Sequence, residues 1–131
     1  LPIVCANPDF RFLSNGEFVV AQGLVCKIME QRGARVIWFG KPDEGVFLSA
    51  MEKLGYPDPD RAVMIGDTLR TDILGATRAG IKSCLTLARG ITTRDLTMAG
   101  KELTEENIIA AAAEIGARVD YIIEKVPAGD L

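Results

Sequence analysis

Apolar residues in this chain come in short runs broken by glycine, proline and asparagine, and their spacing alternates between strand-like and helix-like. Leu1 to Ala6 reads as a buried strand closed by the turn Asn7-Pro8-Asp9. Phe10 to Leu13 and Glu17 to Val20 are β-like. Ser14-Asn15-Gly16 between them is a hairpin signal, because Asn and Gly accept positive φ. From Gln22 to Gln31 the pattern is amphipathic, with Leu24, Val25, Ile28 and Met29 on one helical face and Gly33 as the stop. Arg35 to Phe39 is a strand. A helix follows with Pro42 at its first position, Asp43 and Glu44 in its first turn, and Val46, Phe47, Ala50, Met51 and Leu54 as its buried face.

Gly55 to Asp60 reads as a loop, Ala62 to Ile65 as a central strand, and Leu69 to Ala79 as a helix stopped by Gly80. Lys82 to Leu87 is another strand, and Ala88 to Gly100 is irregular. Thr104 caps a helix that runs to about Ile115, where Gly116 ends it. Val119 to Glu124 is the last strand and Pro127 to Leu131 a tail. From residue 35 the order β-α-β-α-β-α-β predicts a mostly parallel sheet with helices on its faces, an α/β fold.

Composition narrows the chemistry. The 131 residues are 48% apolar, which allows a real core, and 15 basic against 18 acidic residues give a net charge of −3. No run of like charges marks a nucleic-acid or membrane surface, and no segment approaches the roughly 20 apolar residues of a membrane span. The short apolar start lacks the basic flank of a signal peptide, and without an initiating Met the chain reads as cut or processed. Cys5, Cys26 and Cys84 are odd in number and far apart. They predict buried small hydrophobes in a reducing cytoplasm rather than disulfides or zinc. Histidine is absent, which removes Ser-His-Asp and Cys-His catalysis and histidine-held metals. Carboxylates, Lys, Arg and hydroxyls remain, a set suited to Mg²⁺ and phosphate.

Two strand-to-helix junctions stand out. In Ala62-Val63-Met64-Ile65-Gly66-Asp67-Thr68-Leu69-Arg70-Thr71-Asp72-Ile73 an apolar run stops at glycine, and carboxylates follow at Asp67 and Asp72. Open α/β sheets bind ligands at the carboxyl ends of their strands, and helix N-termini favour anions. Asp67 and Thr68 could equally cap the helix, with Asp72 as an ordinary first-turn acid. The other junction, Phe39-Gly40-Lys41, offers an ammonium at a comparable place, or else a solvated lysine before a proline.

Gly40-Lys41-Pro42 followed by Gly66-Asp67-Thr68-Leu69-Arg70-Thr71-Asp72-Ile73 resembles the third and fourth motifs of the haloacid dehalogenase (HAD) superfamily. The nearest resemblance is to its class IIA phosphatases, the group of NagD-like sugar phosphatases and pyridoxal phosphate phosphatase. Ala6-Asn7-Pro8-Asp9 and the Ser14-Asn15-Gly16 hairpin resemble the closing part of that class's α/β cap. The resemblance runs through the whole chain and implies residues 1–39 as the end of the cap and 40–131 as the second half of a HAD-like, Rossmann-type core. It implies Mg²⁺-dependent hydrolysis of a small phosphorylated metabolite. Lys41 would contact phosphate, Asp67 would ligate Mg²⁺, and Asp72 would support the metal, through water or by orienting loop amides. Asn7 and Arg11 would face the substrate, Arg11 as an anion grip or, equally, as a solvated hairpin residue.

The family's nucleophile lies in an Asp-x-Asp motif after an early strand. Here that spacing occurs only at Asp58-Pro59-Asp60, in a loop before a strand, and it is rejected. The aspartyl-phosphate step therefore has no nucleophile within these residues, and the chain alone is expected to be inactive without an amino-terminal half. A non-catalytic binding or assembly fragment is the rival, with a homo-oligomer left open. A nucleotide-binding or response-regulator-like module is disfavoured because no glycine-rich phosphate loop occurs.

Overall fold

The computed structural model describes residues 1–55, 58–88 and 90–126. Tyr56 and Pro57 of the expected loop, Arg89, and the expected tail 127–131 lie outside the described residues. The elements are β1 (Ile3–Cys5), β2 (Arg11–Ser14), β3 (Glu17–Val20), α1 (Gln22–Gln31), β4 (Val36–Trp38), α2 (Glu44–Lys53), β5 (Val63–Gly66), α3 (Leu74–Arg78), β6 (Lys82–Thr86), α4 (Ile91–Met98), α5 (Glu105–Ala113) and β7 (Tyr121–Ile123). A single π-helical stretch, Leu69–Ile73, leads into α3, and a short 3₁₀ turn at Pro59–Arg61 precedes β5.

Local chemistry explains most boundaries. Asn15 and Gly16 take φ of 51° and 80°, the two positive values a tight hairpin turn needs, and β2 pairs antiparallel with β3 from Ser14↔Glu17 outward. Asp43 caps α2 by accepting the Gly45 N–H, so Pro42 stands ahead of the cap rather than inside the helix. Thr104 caps α5 through the Asn107 N–H.

The parallel sheet differs from the expected one. β5, β6 and β7 form a three-stranded parallel sheet, whereas β4 leaves it and pairs parallel with β1, Ile3↔Val36 to Cys5↔Trp38. Every strand pair among the described residues thus joins strands on the same side of Gly40. A second difference is α4, in the segment read as irregular. Ile91, Thr92, Thr93 and Thr97 are β-branched and weaken the helical signal. Tertiary contacts supply what propensity lacks: Leu96 enters the core beside Leu69, Ile73, Leu85, Ile108 and Ala112.

A second apolar cluster joins Phe47 and Met51 of α2 to Ala76, Ala79 and Ile81. Of the face expected on α2 only Phe47 and Met51 are buried, and Val46, Ala50 and Leu54 are exposed. The expected face of α1 also stays open at Val25, Ile28 and Met29. Cys5 and Cys84 are buried, Cys26 is half-buried, and all three are free thiols. Burial pushes the Cys5 and Cys84 thiols above their usual range. Among the described residues no helix is long and apolar enough to cross a membrane.

Candidate functional site

The strand β5 ends at Gly66, and the chain turns at once so that Asp72 folds back beneath its own loop. Asp72 is only 3% exposed, and both oxygens of its carboxylate have partners. Oδ2 accepts the N–H groups of Asp67 and Thr68, both at 3.1 Å, and Oδ1 pairs with the Lys41 ammonium. A Cβ at residue 66 would lie 2.4 Å from the Asp72 side chain, so only glycine lets the strand end this close to it. Two amides and a cation give this buried charge the partners it needs.

Asp67 is held differently. Its Oδ1 accepts the Thr68 hydroxyl at 2.9 Å, and its Oδ2 accepts the Ile91 N–H at 3.3 Å. Its backbone carbonyl accepts the Thr92 N–H at 3.1 Å, while the Thr92 hydroxyl accepts the Leu69 N–H at 3.0 Å. The start of α4 is therefore stitched to the Asp67 loop from both sides. A carboxylate has about four lone-pair positions, and the Asp67 side chain accepts two bonds where Asp72 takes three partners, so Asp67 keeps the larger acceptor capacity.

Lys41, Asp67 and Asp72 come together although β4 and β5 belong to different sheets. They line one cavity of about 310 Å³ with Asp9, Arg11 and Thr68. Asp58 and Asp60 sit in the turn before β5, where Asp58 accepts the Asp60 N–H. Arg11 reaches this cavity and a larger one of about 1040 Å³. Its guanidinium lies 4.1 Å over the Phe18 ring and pairs with Asp95 of α4 at 2.5 Å. Asn7 lines neither cavity. Its side-chain oxygen accepts the Asp9 N–H at 3.1 Å, which shapes the turn.

Four participants were missed in the sequence: Asp9, Ile91, Thr92 and Asp95. Asp9 was visible as part of a turn but not as a charge facing Lys41. Burial pushes its carboxyl above the usual range; Lys41 pulls the other way, and the Asp72 and Asp67 carboxylates add to the rise. The other three lie on α4, a helix with no local signal.

The donor set can be tested against a hard cation. Among the described residues no three His, Cys, Asp or Glu side chains form a ready cage. Mg²⁺ commonly takes one or two carboxylates and fills its remaining positions with water and phosphate oxygens. Asp67, with spare oxygen lone pairs at a helix-lined junction, fits that pattern. Asp72, buried and holding two loop amides and the Lys41 ammonium, fits as the group that orients the loop.

Residues 38–115, more than half of the chain, match the HAD-hydrolase-like family. The chain belongs to this family. Both strand-to-helix junctions, at Lys41 and at Asp67, fall inside the matched stretch. Glycerol-3-phosphate phosphatase of Homo sapiens is 39% identical over 95 residues, covering 70% of this chain and 28% of that protein. Ribonucleotide monophosphatase NagD of Escherichia coli K12 is 32% identical over 94 residues, covering 70% and 35%. Among solved structures, the 4-nitrophenylphosphatase of Thermotoga maritima superposes with a TM-score of 0.67 at 27% identity, over 92% of this chain and 41% of that one. The p-nitrophenyl phosphatase of Archaeoglobus fulgidus shares the fold, with a TM-score of 0.68 at 21% identity over 95% and 43%. These relatives fit the NagD-like class IIA resemblance of the motifs. The chain spans about a third of the length of the two curated HAD relatives.

Proposed function

We propose that this chain carries the phosphate- and cation-holding part of a phosphomonoester hydrolase acting on a small phosphorylated metabolite. The observation that carries this reading is the Lys41–Asp72–Asp67 arrangement. One ammonium and one carboxylate with spare acceptor capacity face a shared cavity of about 310 Å³, and a buried third residue holds both the ammonium and the loop that carries the carboxylate. The matched relatives are phosphatases, glycerol-3-phosphate phosphatase and NagD among them, which supports the same reaction class.

In this scheme Asp67 holds Mg²⁺ and Asp72 supports it by fixing the Asp67 and Thr68 amides. When bound, the cation supplies charge neutralisation for the phosphoryl group. Lys41 offers its ammonium to a phosphate oxygen, and Asp72 aims it. Arg11 stands at the junction of the two cavities, where the body of the substrate would pass. Asn7 acts one step removed, by shaping the turn that carries Asp9. We assign residues 1–39 to the closing part of a cap and 40–131 to the second half of the core. The aspartyl nucleophile is assigned to a segment outside these residues.

The test is titration calorimetry with orthophosphate, in the presence and absence of Mg²⁺, on the chain and on Lys41→Ala. The reading expects Mg²⁺-dependent binding that falls at least roughly tenfold in Lys41→Ala, the scale of one lost charge-assisted contact. Equal affinity in both proteins ends it. Hydrolysis of 4-nitrophenyl phosphate is expected to need an added amino-terminal half. Phosphate binding that never leads to turnover, with that half present, would favour the assembly-fragment reading.

A further inference from the structure

The turn Asn7-Pro8-Asp9 is built to bring a fourth charged group to the site. Helix α1 starts directly against it. The Gly23 N–H donates to the Asp9 carbonyl at 3.0 Å, and a Cβ at residue 23 would lie 2.3 Å from the Pro8 carbonyl oxygen. From the opposite direction comes Gly40, at φ 101°, where a Cβ would lie 2.9 Å from Pro8 Cδ. Gly40 is also the residue before Lys41. Two glycines from separate elements therefore press this turn onto the lysine junction, and the Asn7 side chain fixes the Asp9 N–H from within. Asp9 lines the same cavity as Lys41, Asp67 and Asp72.

The charge in that cavity follows. Asp9, Asp67 and Asp72 contribute −3, and Lys41 and Arg11 contribute +2. Lys41 is already paired with Asp72, and Arg11 with Asp95, which stands outside this cavity, so the Asp9 and Asp67 carboxylates face the cavity without a cation of their own. A phosphate arriving alone would meet a net negative wall, and like charges at this range oppose binding. We propose that Asp9 is a specificity-determining residue that makes the pocket refuse a bare phosphate and accept it only together with a divalent cation. This deepens, and rests on, the phosphate-and-cation reading above. Asp67 and Asp72 hold their loop together and cannot be discharged without disturbing it. Asp9 makes no side-chain bond to that loop, so its charge is the adjustable one.

The experiment is calorimetric titration of the full chain with orthophosphate, with and without Mg²⁺, for the parent, Asp9→Asn and Asp9→Glu. Far-UV circular dichroism and urea midpoints confirm that each variant folds. Asp9→Asn is expected to bind orthophosphate roughly tenfold more tightly than the parent without Mg²⁺, and to lose most of the gain that Mg²⁺ gives. Asp9→Glu restores the parent's dependence. The difference between Asp9→Asn and parent shrinks at about 0.5 M salt, which a purely structural role would not produce. Unchanged Mg²⁺-free affinity in Asp9→Asn overturns the proposal, as does equal behaviour of Asp9→Asn and Asp9→Glu. Failure of the underlying reading looks different: phosphate affinity would ignore both Mg²⁺ and Lys41→Ala, and the role of Asp9 would fall with it.

Discussion

The three strands β5, β6 and β7 present two faces made from alternating residues of the same backbone. On one face lie Met64, Ser83 and Leu85. Leu85 and Ser83 are both 0% exposed, and α3 and α5 contribute Ala76, Ile108 and Ala112 to the cover. On the other lie Val63 and Ile65, which are 51% and 47% exposed, and Tyr121 at 56%, in register with them through Cys84. Parallel sheets are ordinarily covered on both faces. The contrast teaches where this chain's stability resides. The covered face carries the core, and the Asp67–Asp72 loop emerges from the end of its edge strand. On the open face Cys84 of the central strand is buried, but Val63, Ile65 and Tyr121 on either side of it draw little from packing within the chain.

The largest expected effect breaks this contrast directly. Leu85→Ala should cost about 2–5 kcal/mol, the usual range for deleting a fully buried leucine side chain. Ile65→Ala, one register position away and therefore on the open face, should cost less than about 1 kcal/mol. Urea denaturation of both variants measures the pair. Equal losses would mean that the open face is covered in solution and that the contrast belongs to this chain's conformation in isolation.

A smaller effect sharpens the covered side. Asp120 pins β7 to β6: its Oδ2 accepts the Ser83 N–H at 2.9 Å, and the Ser83 hydroxyl accepts the Asp120 N–H at 3.1 Å. Burial opposes the Asp120 charge, yet the Ser83 N–H, Arg118 and Lys82 outweigh it and hold the carboxyl below its usual value of 3.8. A depressed carboxyl pKa stabilises the fold above the unfolded value and loses that contribution as pH falls through the folded one. The parent should therefore exceed Asp120→Asn in stability at pH 7 by about 1 kcal/mol, and the gap should narrow as pH falls below the ordinary carboxyl value of 3.8. A gap that persists at low pH would place the effect in packing instead of charge.

Local signals made much of this legible. The Asn15-Gly16 turn, the cap at Thr104, and the two glycine-terminated strands are written in neighbouring residues, and so are Lys41, Asp67 and Asp72; the start of α2 was legible only to within a residue or two, since Asp43 caps the helix instead of lying in its first turn. What was not legible depends on distant residues. Strand β4 could join either sheet by its own pattern, and β1, more than thirty residues away, takes it. Helix α4 forms against its threonines because Asp67 and the core hold it. The apolar stripe of α1 shows which side of that helix is apolar, not whether anything lies against it. Asp9 was hidden because a turn residue explains its own presence, and only the approach of Gly40 reveals what it faces.

The smallest expected effect concerns a polar contact that resembles the open face more than the core. Arg11 and Asp95 bridge the β2–β3 hairpin and α4, but their side chains are 43% and 38% exposed. A contact this wet has a good geometry and a poor return, because water screens the charges and two mobile side chains must be held. A double-mutant cycle with Arg11→Ala and Asp95→Ala should give a coupling below about 1 kcal/mol that shrinks further as salt rises. The same cycle read by phosphate titration separates two roles for Arg11. If Arg11 serves only to tie the hairpin down, Asp95→Ala will weaken binding as much as Arg11→Ala does. If Arg11 reaches the ligand, Asp95→Ala frees the guanidinium and binding tightens while Arg11→Ala weakens it. The sign of that difference, not its size, decides between them.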